Sequence, residues 1–294
     1  MTCRSPDRVA TMAQLAALLE ASAPKPGNVS PGRRFHDTSY EDFLASAAAI
    51  GPALRLAGER PLGATILAAV EATIGLTGVN TNLGIVLLLA PLARAALLRP
   101  GATALRESLR RVLAETTVED AEATYAAIRL ARPGGLGRAA REDVAAAPTI
   151  PLRETMRLAA DRDTVAREYV TDFAVTFEVG WPAAIAARRA GLSWPEATVE
   201  TFLAILAAVP DTLVARKLGR AAAEAIARRA AEIAALGGVR SEAGRRELAR
   251  FDEELRDPRN TRNPGTTADL TAAALFVALL EVGWDPARRG GYAR

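Results

Sequence analysis

The chain has 294 residues, and its 37 Lys and Arg against 34 Asp and Glu leave a net charge of only +3. No basic run is interleaved with aromatic residues, so the charge pattern does not predict a nucleic-acid surface. The longest apolar run, Leu83–Ala93, has 11 residues and contains Pro91, whereas a membrane-spanning helix needs about 18. The single cysteine, Cys3, excludes a disulfide within the chain. We therefore expect a cytoplasmic protein that binds neither nucleic acid nor membrane.

Helical periodicity begins close to the N-terminus. Apolar residues recur on one face over 9–19, which predicts a first helix. A loop of 15 residues rich in Pro and Gly follows over 23–37, and long loops in compact domains are often functional. Ser39 and Asp42 have the spacing of a capping box, so a second helix is predicted to start there.

The predicted helices continue through the middle of the chain. The segment 61–78 is helical in pattern and is expected to end at Gly75 or Gly78. The next helix is expected from about Asn82. The segment 116–131 starts with Thr and carries acids in its first turn, as helix N-termini do. The Gly-rich stretch 132–137 interrupts the pattern.

The last half of the chain is also helical in pattern. Further helices are predicted over Asp163–Glu178, after Trp181, from a capping box at Ser193 and Glu196, over Leu218–Ala235, from Ser241, and from Thr266 or Thr267 with a capping box to Asp269. The segment 174–180 is the nearest approach to a strand. Because no repeat or linker appears, we predict an all-α fold, a single multi-helix globular domain over 1–294 with a polar site built from inter-helix breaks.

Polar residues cluster in the breaks between these helices. Helix N-termini, here near Asn82 and Thr267, present free N–H groups that suit phosphate, and carboxylates can hold Mg²⁺. The candidates are Lys25, Asn28, His36 and Asp37 in the first break, Glu71 on the helix before the second, Asn80, Thr81 and Asn82 in the second, Asp211, Arg216 and Lys217 in a later one, and Asn263, Thr266, Thr267 and Asp269 in the last.

Each candidate also has a purely structural interpretation. Asn82 and Asp269 have the sequence context of simple helix caps. The Pro-Lys-Pro-Gly segment suits a rigid turn. His36 is the one histidine in the chain, and a lone loop histidine is more often structural than catalytic, although its pKa range makes it a usable base. A helical Glu71 is either exposed or, if buried, paired.

The order of these motifs resembles that of the triphosphoribosyl-dephospho-CoA synthase family, whose members serve citrate lyase and malonate decarboxylase. The resemblance runs from about Glu20 to Ala274. It comprises a Glu before Pro-Lys-Pro-Gly, a His-Asp pair, Phe and Ser-Ala on a helix, a Glu ahead of Gly-x-Asn-Thr-x-x-Gly, Asp-Thr followed by Arg, and an Asp followed by Pro-Gly-x-x-Ala-Asp-Leu. Here these read LLEASAPKPGNV, FHD, FLASAAAIGPAL, EATIGLTGVNTNLG, DTLVAR and FDEELRDPRNTRNPGTTADL.

The resemblance implies an all-helical enzyme that uses ATP and Mg²⁺. In the family, the 2′-hydroxyl of dephospho-CoA attacks C1′ of the ATP ribose, and adenine leaves. At motif positions, it implies catalytic roles for Asp37, Glu71, His36 and Asp211, and metal binding by Asp37, Glu71, Asp211 and Asp269. We expect nucleotide binding by Lys25, Asn28, Asn80, Thr81 and Arg216 at motif positions, and by Asn82, Lys217, Thr266 and Thr267 in the same inter-helix breaks.

This sequence also departs from the family pattern. The family has His-Lys inside the Asn-Thr motif where this chain has Asn82 and Leu83, and two glycines after the Arg where this chain has Lys217 and Leu218. A different nucleotide or cofactor-precursor acceptor, with phosphoryl in place of ribosyl transfer, is therefore kept as an alternative. A third hypothesis is that the protein is a non-catalytic helical binding module. The sequence leaves open whether the protein forms a homo-oligomer.

Overall fold

Helices account for most of the chain. The computed structural model describes residues 5–98 and 105–284. Its α-helices are α1 Pro6–Ser22, α2 Tyr40–Ala49, α3 Gly51–Arg55, α4 Leu62–Thr77, α5 Leu83–Leu98, α6 Leu105–Ala114, α7 Val118–Ala131, α8 Leu152–Ala159, α9 Thr164–Val170, α10 Trp181–Arg189, α11 Trp194–Ala208, α12 Thr212–Leu218, α13 Arg220–Ala235, α14 Glu242–Leu255 and α15 Gly265–Val282. A π-helix, Val175–Gly180, precedes α10, and a short 3₁₀ helix, Gly238–Arg240, precedes α14. Apart from an isolated bridge between Ser30 and Arg33, the described residues form no β-structure, which confirms the all-α prediction.

The chain divides into two compact units that alternate along the sequence. The first unit comprises Met1–Ala17 and Glu41–Ala174, and the second comprises Leu18–Tyr40 and Val175–Arg294. Each unit is therefore assembled from two separate stretches of chain. The expectation of one domain over the whole chain stays a prediction.

In the first unit, α4 packs against α5 and α7, and α5 packs against α6. Close approach of α4 to α7 depends on Gly63, because a Cβ there would lie 2.4 Å from the carbonyl oxygen of Asp120. The N–H of Gly63 donates to Oδ1 of Asp120 at 2.7 Å. These contacts fix the direction of α4, whose C-terminal end leads into the Asn-Thr motif.

Pro91 lies inside α5 and is compensated from another helix. A proline has no N–H, so the carbonyl four residues earlier loses its helical donor. That carbonyl belongs to Leu87, and the hydroxyl of Tyr169 in α9 donates to it at 2.6 Å. Tyr169 is fully buried, and burial raises its pKa well above the usual range, with a smaller contribution from the charge of Asp120.

We expect Tyr169→Phe to lower the free energy of unfolding by about 1–3 kcal/mol, because it leaves the Leu87 carbonyl buried and unpaired. Denaturant unfolding measures this loss. In a Pro91→Ala background the new backbone N–H can bond Leu87, so the same substitution should destabilise less. Tyr125→Phe is the matched control, since that hydroxyl donates to the carbonyl of Glu142 in a loop that water can reach. Equal losses in both backgrounds would contradict the assignment.

In the second unit, α11 packs against α10, α13 and α15. Its core includes Phe202 of α11 and Phe251 of α14, together with Ala23 from the N-terminal loop. Helix α15 is long and apolar enough to cross a membrane, but 78% of it is buried inside the protein, as is usual for a core helix. Burial of α15 fixes its first turn, where the last predicted motif lies.

Several predicted helix ends are confirmed. Thr117 forms a capping box with Asp120 at the start of α7, and Ser193 forms one with Glu196 at the start of α11. Helix α4 runs through Gly75 and ends before a cap residue in the left-handed conformation, Gly78, with φ 71°. Each of these signals lies within a few residues of the boundary that it marks.

The prediction of one helix over Asp163–Glu178 is wrong. Asp163 caps α9, which ends at Val170, and a break follows in which Asp172 and Phe173 have φ of 52° and 58°. Three arginines hold this break: Arg106 donates to the carbonyl of Asp172, while Arg110 and Arg153 pair with its carboxylate at 3.0 and 2.9 Å. Charges distant in sequence therefore stabilise a break that no local Gly or Pro marks.

Two further helix boundaries are also corrected. The helix predicted over Leu218–Ala235 is interrupted at Gly219, where φ is 88°, so α12 ends and α13 begins there. The last helix starts at Gly265 rather than at Thr266 or Thr267, and its cap residue, Pro264, makes no side-chain cap. The capping box from Thr266 to Asp269 is therefore wrong. Asp269 lies half-buried in the second turn of α15.

Candidate active site

The loop 23–37 is docked on α14 and the residues that follow it, all within the second unit. The N–H of Gly27 donates to Oδ1 of Asp252 at 2.8 Å, and Arg256 donates to the carbonyl of Asn28 at 3.0 Å. The side chain of Asn263 donates to Oδ1 of Asn28 at 3.4 Å. Gly27 has φ 72° and a Cβ there would lie 2.8 Å from Leu255, so only glycine fits. These contacts hold the loop against the last inter-helix break.

Asp257 organises that last break. Its Oδ1 accepts from the N–H of Arg259 at 2.9 Å, and its Oδ2 accepts from the N–H and hydroxyl of Thr261 and from the N–H of Arg262, at 2.8, 3.0 and 3.1 Å. Burial raises the pKa of Asp257, but these donors outweigh it and lower the pKa below its usual value. The turn places Asn260 in the left-handed conformation, with φ 50°.

Four polar residues meet where this turn contacts the first loop and α12, and we call them the loop cluster: His36, Asp37, Lys217 and Asn260. Nζ of Lys217 donates to the carbonyl of Asn260 at 2.9 Å. Nδ2 of Asn260 lies 2.9 Å from Nδ1 of His36, and Nε2 of His36 lies 3.7 Å from Oδ2 of Asp37. The side chains of His36 and Asp37 are 59% and 61% exposed, so both can be reached by a ligand.

The pKa of the Lys217 ammonium group is shifted, although the residue as a whole is exposed to solvent. Desolvation by the surrounding loops lowers its pKa, with a smaller lowering from Arg216, while the carboxylates of Asp211, Asp257 and Asp37 oppose the shift. The lysine therefore lies within electrostatic range of three acids. The loop cluster is thus the place in the second unit where a cation, an imidazole and an exposed carboxylate come together.

Asp211 is buried and its carboxylate joins the starts of two helices. Its Oδ1 accepts from the N–H groups of Leu213 and Val214 at 2.8 and 3.0 Å, which caps α12. Its Oδ2 accepts from the N–H and the hydroxyl of Thr267 at 2.7 and 2.8 Å, at the start of α15. Burial raises the pKa of Asp211, and these four donors oppose the rise. The carboxylate occupies the position that an anion would otherwise take at the start of α15.

Lys25 is also buried, and its partner is Glu20. The ammonium donates to the carbonyl of Glu20 and to that of Ala23, the latter at 3.3 Å, and it lies 3.0 Å from Oε1 of Glu20. The two side chains are 0% and 4% exposed. Since an ammonium has three donors, a triphosphate could reach Lys25 only by displacing these acceptors. The ion pair closes the Pro-Lys-Pro-Gly turn onto the end of α1.

The Asn-Thr motif lies in the first unit. Oδ1 of Asn80 accepts from the N–H of Leu83 at 3.1 Å, so Asn80 satisfies the N–H of the first residue of α5. The hydroxyls of Thr81 and Ser46 are hydrogen-bonded to each other, and Nδ2 of the buried Asn82 donates to the carbonyl of Ser46 at 3.3 Å. The motif therefore ties the start of α5 to α2.

The remaining predicted residues vary in exposure. Glu71 is exposed on α4, Arg216 is half-buried on the last turn of α12, and Thr266 is buried beside Thr212, whose hydroxyl donates to it at 3.2 Å. Among the described residues, no three His, Cys, Asp or Glu side chains form a group that could hold a metal ion. Asp211 is unsuited to that role because each of its oxygens already accepts two hydrogen bonds. The metal-binding set stays a prediction.

Sequence reasoning missed two residues of this region, Asp257 and Asn260. Both lie in the break between α14 and α15, within the stretch that carries the last family motif, but neither was singled out as a site candidate. A usable signal was present, because Asp-Pro followed by Asn is typical of turns in which Asn adopts positive φ. What no local pattern contains is that the turn contacts His36 and Lys217.

Comparison with known proteins identifies the family. The family model described as ATP:dephospho-CoA triphosphoribosyl transferase (CitG) matches residues 6–287. The chain belongs to this family. A relative from Stutzerimonas stutzeri, named provisionally as a 2-(5''-triphosphoribosyl)-3'-dephosphocoenzyme-A synthase, is 30% identical over 92% of this chain and 91% of its own length. The synthase of the same name from Klebsiella pneumoniae is 39% identical over 90 residues, which is 31% of each chain.

A solved structure supports the same assignment for the fold. A crystal structure from Archaeoglobus fulgidus, named provisionally as a triphosphoribosyl-dephospho-CoA synthase, has a TM-score of 0.62 and 32% identity, and it covers 82% of this chain and 100% of that one. The resemblance predicted from the motifs is thereby confirmed at the level of family and of the all-α fold. The CitG family is one of transferases, so this chain is a member of an enzyme family.

Proposed function

We propose that the protein transfers a triphosphoribosyl group from ATP to dephospho-CoA, giving 2'-(5''-triphosphoribosyl)-3'-dephospho-CoA and adenine. The observation that carries the proposal is the match of the ATP:dephospho-CoA triphosphoribosyl transferase model to residues 6–287. It is supported by relatives named for the same reaction, one of them similar over almost the whole chain. We propose that the reaction takes place in the cytoplasm.

The reaction has three chemical requirements. The 2′-oxygen of dephospho-CoA forms a bond to C1′ of the ATP ribose as the bond from C1′ to the adenine nitrogen breaks. Adenine leaves with that electron pair and takes up a proton to become neutral. The hydroxyl proton must pass to a base held within hydrogen-bond reach. Positive groups must neutralise the triphosphate, and a carboxylate near C1′ stabilises the developing positive charge.

The loop cluster offers groups of the required types. We assign the base to Asp37, whose carboxylate is exposed and faces His36. We assign triphosphate binding to Lys217 together with Arg216, because the two cations follow each other on the last turn of α12. Lys25 and Asp211 are assigned to holding the loops, because internal partners already occupy their polar atoms.

Mg²⁺ is proposed to arrive bound to the triphosphate of ATP. Mg²⁺ commonly binds through one or two carboxylates together with phosphate oxygens and does not need a cage made by the protein alone. The described residues do not form such a cage. A bound ion would neutralise charge on the triphosphate, and no protein step is assigned to it.

The test is release of free adenine by the purified protein. Incubation with ATP, Mg²⁺ and dephospho-CoA should produce adenine and the triphosphoribosylated product in equal amounts, measured by liquid chromatography and mass spectrometry. Omitting dephospho-CoA is the control for simple hydrolysis, and chelation with EDTA should abolish the reaction. Absence of adenine would overturn the proposal, and full activity in EDTA would overturn the role of Mg²⁺.

A second candidate keeps the nucleotide but changes the acceptor. It is favoured by one observation: Asn82 and Leu83, at the positions where the family pattern has His-Lys, are both buried. Neither side chain can therefore supply an exposed base or phosphate donor there. This candidate predicts turnover with another nucleotide-type acceptor. Release of ADP without adenine would indicate phosphoryl transfer in place of ribosyl transfer.

A further inference from the structure

Asn260 contacts both Lys217 and His36 of the loop cluster. Its carbonyl accepts from Nζ of Lys217 at 2.9 Å, and its side-chain Nδ2 lies 2.9 Å from Nδ1 of His36. Its backbone is held in place by the turn around Asp257, which gives it φ 50°. One residue thus sets the positions of the lysine and of the imidazole.

The contact with His36 bears on where the imidazole proton lies. A carboxamide nitrogen has hydrogens to donate and no lone pair to accept with, while a neutral imidazole has one donor and one acceptor nitrogen. With Nδ2 of Asn260 toward the ring, the neutral tautomer that fits has Nδ1 as the acceptor and the proton on Nε2. Nε2 is the atom that faces Oδ2 of Asp37, at 3.7 Å.

We infer that Asn260 is a positioning residue that holds His36 as the Nε2–H tautomer, directed at Asp37. In this arrangement neither ring nitrogen is available to take a proton from the substrate. The imidazole instead supports the Asp37 carboxylate, which receives the proton. The catalytic part of this inference deepens the proposed function and rests on it. The assignment of the tautomer does not depend on the proposed function.

The tautomer can be measured directly because His36 is the one histidine in the chain. A long-range proton–nitrogen NMR correlation at about pH 8, where imidazole is ordinarily neutral, shows which ring nitrogen carries the proton. The wild-type protein should show Nε2–H. In Asn260→Asp the carboxylate can only accept, so the proton should move to Nδ1. Asn260→Gly, which tolerates the positive φ, should leave the two tautomers in exchange.

Steady-state kinetics of adenine release provide the second readout. Asn260→Gly should lower kcat about tenfold and leave KM for ATP within about twofold, because the orientation of the reacting groups changes while no charge is added beside Lys217. Arg259→Ala is the control in the same turn. It retains the backbone N–H that bonds Asp257 and should keep the wild-type tautomer.

The two proposals fail in different ways. If the wild-type protein releases no adenine, the proposed function fails, and the NMR spectra alone decide the role of Asn260. An Nε2–H tautomer that persists in Asn260→Asp overturns the inference, as does an unchanged kcat in Asn260→Gly. Melting curves show whether the Asp and Gly variants are folded. The tautomer and the kinetics are interpreted only for a variant that folds.

Discussion

Asp211→Asn should lower the free energy of unfolding by about 1–3 kcal/mol, because the new side-chain NH₂ group would be buried against hydrogen-bond donors of Thr267. The carboxamide oxygen can still cap α12, but its NH₂ group would then face the N–H and hydroxyl of Thr267, which both donate to Oδ2 in the wild-type protein. The melting temperature should fall by roughly 2–4 °C for each kcal/mol lost. Differential scanning calorimetry measures both quantities.

Asp163→Asn is the matched control for this substitution. Asp163 caps α9 through one oxygen that accepts from Val165 and Ala166 at 2.8 and 3.3 Å, as Asp211 caps α12. Asn and Asp are nearly equivalent as simple caps, and Asp163 is less buried than Asp211, so this variant should lose less stability than Asp211→Asn. Asp211→Asn should also leave the Mg²⁺ concentration for half-maximal activity unchanged. A large rise in that concentration with no loss of stability would make Asp211 a metal ligand and contradict its structural role.

Asp37→Asn should reduce kcat for adenine release by at least about 100-fold, because general base catalysis typically contributes that much or more. Its amide cannot accept the hydroxyl proton, while Lys217 and Arg216 still hold the triphosphate. The KM for ATP should therefore change little. Single-turnover measurements with saturating ATP separate the chemical step from binding.

Glu253→Gln controls for the loss of one negative charge. Glu253 also lies in the second unit, and its side chain is 61% exposed, the same fraction as that of Asp37. Its partner is Arg33, outside the loop cluster. The control should keep wild-type kcat. Equal losses in the two variants would show that charge, and not the position of Asp37, determines the rate.

The sequence predicted the helical elements where the signals are local. The helix start near Thr117, the capping box at Ser193 and the glycine cap at Gly78 are confirmed because each uses residues within one helical turn. The break at Asp172 was missed because its stabilising arginines come from α6 and α8. The start of α15 was misplaced because its donor groups are satisfied by Asp211, which no pattern around Thr266 can show.

Agreement between prediction and structure also varies among the predicted site residues. His36, Asp37 and Lys217 were expected near one another because the inter-helix breaks were predicted to build one polar site, and the structure brings these three into one cluster. Lys25 was expected to bind phosphate because it is a loop lysine in a motif. Its burial against Glu20 depends on how the turn folds back onto α1, which the spacing of the two residues does not determine.

The alternation of the two units along the chain dictates when the loop cluster can form during synthesis. Residues 18–40 leave the ribosome early, but Asp257 and Asn260 follow about 200 residues later, roughly 10–40 s at usual rates of translation. The loop 23–37 must therefore wait, without its partners in α14 and the break after it, while the first unit's residues 41–174 and most of the second unit are made. A chain that stalls within α14 would contain every residue of the first unit and no assembled cluster.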